Sequence, residues 1–315
     1  AASSGTTALF LALKGLGIKD GDEVIAPSLT FAASANSIVH SGARPIFAEI
    51  DKDTFNLNPK SVKEKITKKT RAIMPVHLYG QSCDMDELND IAEKNGLKVI
   101  EDSAQAIGAL YKSSKTGSLG DAGCFSFHPI KNITTGEGGM ITTNSKELYE
   151  KIKTLKNHGM VKSSNDRGFV EIGYNFRLPE INAAIGISQM NDIGKNNSLR
   201  IKKAGLYNEL LSGISQIKIP YVKQYNKHVY SAYTIKCKER DRLERFLQGN
   251  NIQCLVRHPP VHLEPVYRKL FRFKEGMLPV TESTAKGILS LPMFPILPEK
   301  DIKFISAKIE EFYRK

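Results

Sequence analysis

From residue 5 to about residue 145 the chain alternates between helical periodicity and short, nearly continuous apolar runs, and this alternation limits the fold more than any other feature. In "GTTALFLALKGLG", Leu9, Ala12, Leu13 and Leu16 share one helical face, and Gly15 and Gly17 mark its end. "DEVIAPS", "RPIFAEID", "RAIMPVHL" and "LKVIED" have strand length and lack polar alternation. Between them lie three helical stretches. "TFAASANSIVHSG" is built of small residues, "PKSVKEKI" opens on proline, and "DMDELNDIAEKNG" has Asp84 as its cap and Gly96 as its stop. Strands that are apolar on both faces need cover on both faces. The pattern therefore predicts an α/β fold with a mostly parallel sheet between helices.

The texture changes after about residue 215. "HVYSAYTIKC" alternates like an antiparallel strand and "RDRLERFLQGN" reads as a helix, while "TAKGILSLP" and "EKDIKFISAKIEEFYRK" are expected to close the chain as helices. Residues 179 to 212 form a long helical region that bridges the two textures. This divides the chain into a large domain over 1–200 and a smaller α+β domain over 201–315. "SSGTTAL" looks like a phosphate-binding turn at a helix N-terminus, which normally follows a strand. Only two alanines precede it, so the chain is expected to begin partway through a βα unit, with the large domain shortened at its start.

Composition removes several classes of function. No apolar run approaches the roughly 20 residues of a membrane span. Cys83, Cys124, Cys237 and Cys254 lie far apart without a CxxC pair, so they read as buried thiols of a cytoplasmic protein, with no disulfide framework and no metal site. The net charge of +12 raises the question of nucleic acid. The basic residues are scattered, however, and the densest run, "KSVKEKITKKTR", reads as one solvated helix face without interleaved aromatics. Small anionic substrates such as nucleotide sugars suit that charge, and no nucleic-acid or membrane partner is expected.

The chemistry centres on "CFSFHPIKNITTGEGGMITTN", residues 124 to 144. Phe125, Phe127, Pro129 and Ile130 precede Lys131, and a Thr-Gly turn follows it. Apolar surroundings strip water from an ammonium and favour the neutral amine, which is what a Schiff-base lysine requires. The competing reading is a lysine whose stem lies along a strand end with its head in water. A Schiff-base lysine suggests pyridoxal phosphate, whose ring nitrogen needs a facing carboxylate. Asp102 ends the strand "LKVIED", where α/β sheets place ligands, although a helix cap is the alternative for this residue. Gln105 could meet the phenolic oxygen or complete a capping box. Gly5, Thr6 and Ser126 are candidate phosphate donors, and Phe31 is a candidate stacking partner for the ring. Turn, cap and core roles compete for each of these four.

"SGTTAL", "PSLTFAAS", "IEDSAQAIGA", "CFSFHPIKNITTGEGG" and "GYNFRLPEINAAIG" occur in order and at matching intervals. Together with "HPPVHLEPVY" and "LSLPMFP" they resemble the DegT/DnrJ/EryC1/StrS family of pyridoxal-phosphate-dependent nucleotide-sugar aminotransferases. The resemblance spans the chain from Ser4 to the C-terminal helix and implies a fold-type I transferase with a seven-stranded sheet. It implies Lys131 as the cofactor-linking and proton-shuttling lysine, Asp102 as the ring-nitrogen partner and Gln105 as the phenolate neighbour. It also implies Gly5, Thr6 and Ser126 as the phosphate cradle and Phe31 as the stacking ring. Asn175 would reach the phosphate of a neighbouring subunit, which implies a homodimer with shared active sites, and Arg177 would serve the same interface or the substrate. His262 falls where the family places substrate-facing residues, and a satisfied surface histidine is the competing reading. The implied reaction moves an amino group from a donor, taken as glutamate, to a keto carbon of a nucleotide-linked deoxysugar. "TTGEGG" resembles the 4-amino members and points to the 4-keto position. Two alternatives stand beside it. Some relatives carry histidine in place of the lysine and act as sugar dehydratases, and a shortened homologue could serve as a structural or regulatory partner.

Overall fold

The computed structural model describes residues 1–162, 167–256 and 258–314. Helix α1 (Gly5–Gly15) leads into β1 (Glu23–Pro27), α2 (Ala32–His40), β2 (Arg44–Ala48), α3 (Pro59–Lys65), β3 (Thr70–Ile73), α4 (Met85–Lys94) and β4 (Lys98–Asp102). Strands β5 (Ala122–Ser126) and β6 (Gly139–Thr142) follow, and α5 (Lys146–Leu155) closes this part. The sheet order is β2-β1-β3-β4-β5-β6, parallel throughout except for the antiparallel β5–β6 pair. It has six strands where the family resemblance implied seven. On the outer edge of β6, Ala2 adds a single antiparallel bridge to Gly139 through two backbone hydrogen bonds of 2.8 and 2.9 Å.

The apolar runs are buried on both faces because helices cover both. Leu9, Ala12 and Leu13 of α1 pack with Val24, Ala26, Ile100 and Cys124 on one side. Leu88, Ile91 and Ala92 of α4 pack with Ile25, Ile73 and Val99 on the other. All four cysteines are buried and free. Helix α6 (Glu180–Leu211) runs 32 residues, and its second half contributes Ala204, Tyr207 and Leu211 to a second core. That core also holds β7 (Ile217–Lys218), β8 (Tyr233–Cys237), α7 (Arg240–Gly249) and, after α8 (Pro265–Phe271) and α9 (Pro279–Gly287), β9 (Ile288–Leu291) and α10 (Glu299–Arg314). Strands β7, β8 and β9 form an antiparallel sheet in that order of sequence and space.

Two local expectations fail. "TAKGILSLP" is a helix only as far as Gly287, and Ile288–Leu291 is a strand against β8. Four consecutive residues there are buried, and a helix would turn at least one of them to solvent. Asp84 begins α4 without a side-chain cap bond. Its carboxylate instead takes Lys223 Nζ and, at 2.6 Å, Tyr225 Oη, partners some 140 residues away that local sequence could not announce. Among the described residues no helix is long and apolar enough to cross a membrane.

Candidate active site

The parallel strands end on a cavity of about 180 Å³ lined by Gly5, Thr6, Phe31, Asp102, Gln105, Ser126 and Lys131. Residues singled out in four separate segments of sequence therefore meet in one place. Three larger cavities, of about 750, 650 and 300 Å³, gather none of them. The first is a groove around Lys98, Asp121 and Glu147, and the second is an apolar recess between β6 and the first half of α6.

Each wall has a local cause. At α1, Ser4 Oγ accepts the Thr7 amide at 3.1 Å and Thr7 Oγ1 accepts the Ser4 amide at 3.0 Å, a closed capping box. No described residue accepts from the amides of Gly5 and Thr6, which remain as the helix's anion-facing donors. Gly5 has no alternative here, because a Cβ would lie 2.7 Å from Ser126 Cβ. Ser126 Oγ receives the His128 amide at 3.4 Å and keeps its own proton for another acceptor. Lys131 sits on the loop between β5 and β6, with its amide bonded to His128 O at 2.9 Å. Phe31 precedes α2, and its ring is 60% exposed at the cavity wall.

Asp102 is fixed from three directions. Its backbone pairs with Pro75 and His77 of the neighbouring strand extension, at 2.8 and 3.1 Å. Its Oδ2 accepts Ser34 Oγ at 2.7 Å, and Oδ1 accepts the Ala104 amide at 3.2 Å. Thr30 Oγ1 lies 2.9 Å from Ser34 Oγ, so the hydroxyls donate in sequence from Thr30 to Ser34 to Asp102. No helix starts after Asp102, and the cap reading falls away. Ser34 is a site residue that sequence reasoning missed. It reads as one more small residue of α2, and only its spacing of three residues from Phe31 on a helix start hints at a role.

Beneath Asp102 lies a second buried hub. Glu101 accepts His77 Nε2 at 2.9 Å and the amides of Gly117, Leu119 and Gly120 at 2.7 to 2.8 Å. Burial alone would raise its pKa, and these hydrogen bonds outweigh it, holding the carboxyl below its ordinary value. For His77, burial opposes the charged form and Glu101 favours it. The Cys83 amide decides the matter, because it donates to Nδ1 at 3.1 Å and needs that lone pair. The ring is then the neutral tautomer with its proton on Nε2.

His262 does not line the cavity. It is 1% exposed, with Nδ1 2.6 Å from Ser28 Oγ and Nε2 donating to Glu282 at 3.0 Å, and its amide donates to Ser28 Oγ at 3.1 Å. Nδ1 and the amide tie the C-terminal part of the chain to Ser28 at the end of β1, and Nε2 is spent on Glu282 of α9 within that same part. Asn175 is exposed, pairs by a backbone bridge with Asn157 and is absent from the cavity wall of its own chain. Arg177 donates to Asn157 Oδ1 at 2.6 Å and borders a separate hollow with Lys153 and Lys156.

The donor set suits a phosphorylated pyridine aldehyde. Two helix-start amides and a serine hydroxyl can hold a phosphate, and a carboxylate, an exposed aromatic ring and an amine line the same cavity. Comparison with known proteins agrees with this reading. The model of the DegT/DnrJ/EryC1/StrS aminotransferase family matches residues 1–310. A protein of Geobacillus stearothermophilus described as a pleiotropic regulatory protein is 43% identical over 316 residues, 99% of this chain and 84% of the relative. The GDP-perosamine synthase of Caulobacter vibrioides is 41% identical over 318 residues, again 99% and 84%. The crystal structure of S. venezuelae DesV in complex with a ketimine intermediate superposes with a TM-score of 0.95 at 37% identity, covering 100% of this chain and 84% of that one.

Proposed function

The chain belongs to the DegT/DnrJ/EryC1/StrS aminotransferase family, and on that premise we propose that it is a pyridoxal-phosphate-dependent aminotransferase of nucleotide-linked keto sugars. One observation carries the reading: Lys131 shares a single cavity with Asp102, Gln105, Ser126 and the α1 start. Bound there, pyridoxal phosphate supplies the aldehyde that holds the amino group in transit and the ring that takes up electrons. Gly5, Thr6 and Ser126 hold its phosphate, and Phe31 covers the ring. Asp102 keeps the proton on the ring nitrogen, and Gln105 offers an amide proton to the phenolic oxygen. Lys131 Nζ would be the amine that links the cofactor, and the base that would carry a proton to and from the carbon bearing the amino group. The donor is glutamate and the acceptor a 4-keto deoxysugar carried on a nucleotide, a substrate whose diphosphate suits a chain of net charge +12.

The working unit is a homodimer. The first half of α6 presents Ile181 and Ile187 at 79% and 70% exposure, an apolar stripe that solvent disfavours. Asn175, exposed and absent from the cavity of its own chain, is assigned to a partner's. The name of the Geobacillus relative supports a second reading, a regulatory protein without turnover. Borohydride reduction after addition of pyridoxal phosphate, followed by peptide mapping, tests the first step. A stable adduct on Lys131 is expected, and its absence would remove the catalytic reading. A panel of nucleotide-linked 4-keto and 3-keto sugars with glutamate then separates the two keto positions, and Lys131→Ala should abolish transfer. An adduct without turnover on any sugar would favour the regulatory reading.

A further inference from the structure

Gln105 is held at both ends of its amide. Oε1 accepts the Tyr79 amide at 3.0 Å, which turns Nε2 toward His258, whose own Nε2 lies 3.4 Å away. An amide nitrogen has no lone pair to offer. His258 Nε2 must therefore be the acceptor, with the imidazole proton on Nδ1. The turn that makes this arrangement is strained: Tyr79 adopts φ 58° inside the 78–80 turn, a left-handed conformation that crowds the Cβ of any non-glycine residue. Strain of that kind persists where surrounding contacts demand it. Here the same residue supplies the amide that orients Gln105 and a ring lying parallel to His258, 12° from coplanar at 5.9 Å. Gly80, at φ 106°, follows because a Cβ would lie 3.1 Å from Gln105 O. Phe31 meets the His258 ring edge-on at 6.4 Å, and His258 itself, 9% exposed, lines the cavity with Lys131.

We propose that His258 is a positioning residue: its Nε2 lone pair engages one proton of the Gln105 amide and thereby directs the other toward the cofactor. The inference rests on reading Gln105 as the neighbour of the phenolic oxygen. It gives the segment from His258 to His262, pinned to Ser28 at its far end, control over a hydrogen bond made on the large sheet. This role is not legible in "HPPVHL", where only the second histidine falls at a place the family resemblance marks.

Three measurements decide it. In the cofactor-free protein, a long-range proton–nitrogen correlation spectrum should find His258 protonated at Nδ1, and Gln105→Ala should abolish that preference. A wild-type ring protonated at Nε2 would overturn the proposal, whatever the cofactor does. With pyridoxal phosphate bound, His258→Phe retains a flat ring between Tyr79 and Phe31 but no acceptor. It should shift the visible absorption band and lower kcat/KM roughly three- to tenfold, the worth of one neutral hydrogen bond. His258→Gln, which restores an acceptor, should recover most of both. In a Gln105→Ala background the same His258→Phe change should do neither, since both residues act through one bond. Equal effects in the two backgrounds would refute the coupling. Borohydride trapping on Lys131 in every variant tests the cofactor reading separately, so its failure is not confused with failure of the His258 role.

Discussion

Asp102→Asn separates catalysis from stability because the structure limits what the substitution disturbs. The two oxygens of Asp102 accept one hydrogen bond each, from Ser34 Oγ and from the Ala104 amide. In the variant, the remaining side-chain oxygen can keep the Ala104 amide, and the introduced amide nitrogen then faces Ser34. The Ser34 hydroxyl can reverse, accepting from that nitrogen and donating back to Thr30 Oγ1 at 2.9 Å. The fold therefore loses only neutral hydrogen-bond strength, about 0.5–1.5 kcal/mol. On the proposed assignment, catalysis loses the charge that would face the ring nitrogen. A charge-assisted hydrogen bond contributes about 1.5–3 kcal/mol, which corresponds to a rate decrease of roughly ten- to 150-fold. Rapid-mixing absorbance of the half-reaction with glutamate measures the rate, and a thermal melt of the cofactor-free protein measures the fold. The expected pattern is a melting temperature within a few degrees of wild type and a large loss of rate with cofactor still bound. An unchanged rate would show that Asp102 is structural. A rate loss matched by loss of folded protein would sink the proposed separation just as surely.

Glu101→Gln should destabilise the protein by about 3 kcal/mol in urea titrations, since a Gln amide turns N–H groups toward donors that now receive a carboxylate. Because the Glu101 pKa is lowered by folding, its contribution is complete above the ordinary value of 4.5 and fades as pH falls through the lower folded value. The variant should flatten that acid limb. His228 acts over a higher window: burial lowers its pKa from 6.5 to about 3, so below pH 6.5 the unfolded chain binds a proton that the folded one refuses. Between these values stability should fall with falling pH by up to about 1.4 kcal/mol per unit, and His228→Asn should remove that slope. Finally, Asn175→Ala and Lys131→Ala chains, weak or inactive alone, should complement after co-refolding. Random pairing makes about half the dimers mixed, each with one intact site of two, so activity should reach about a quarter of wild type. No gain on mixing would mean that each site is built within one chain.

The sequence by itself determined the layered α/β plan and singled out seven of the residues that line the candidate site. Unbroken apolar runs leave a strand no face for water, and helical periodicity between them dictates cover on both sides, so a mostly parallel sheet followed from pattern alone. Lys131, Asp102 and the Gly5–Thr6 turn were legible because each sits beside a change of period, at a strand end or a helix start, where ligand chemistry has a backbone cause. Tertiary structure decided what depends on partners distant in the chain. Asp84 left its helix cap for Lys223 and Tyr225, and Ile288–Leu291 became a strand because β8 was there to pair with it. It also sent two histidines four residues apart to different places. His262 is consumed by Ser28 and Glu282 while His258 reaches the cavity. An imidazole carries no local sign of which way it will face. A side chain's role is set by the atoms that meet its polar ends, and for both histidines the deciding atoms, on Gln105 and on Ser28, come from the large sheet's loops at the far end of the sequence.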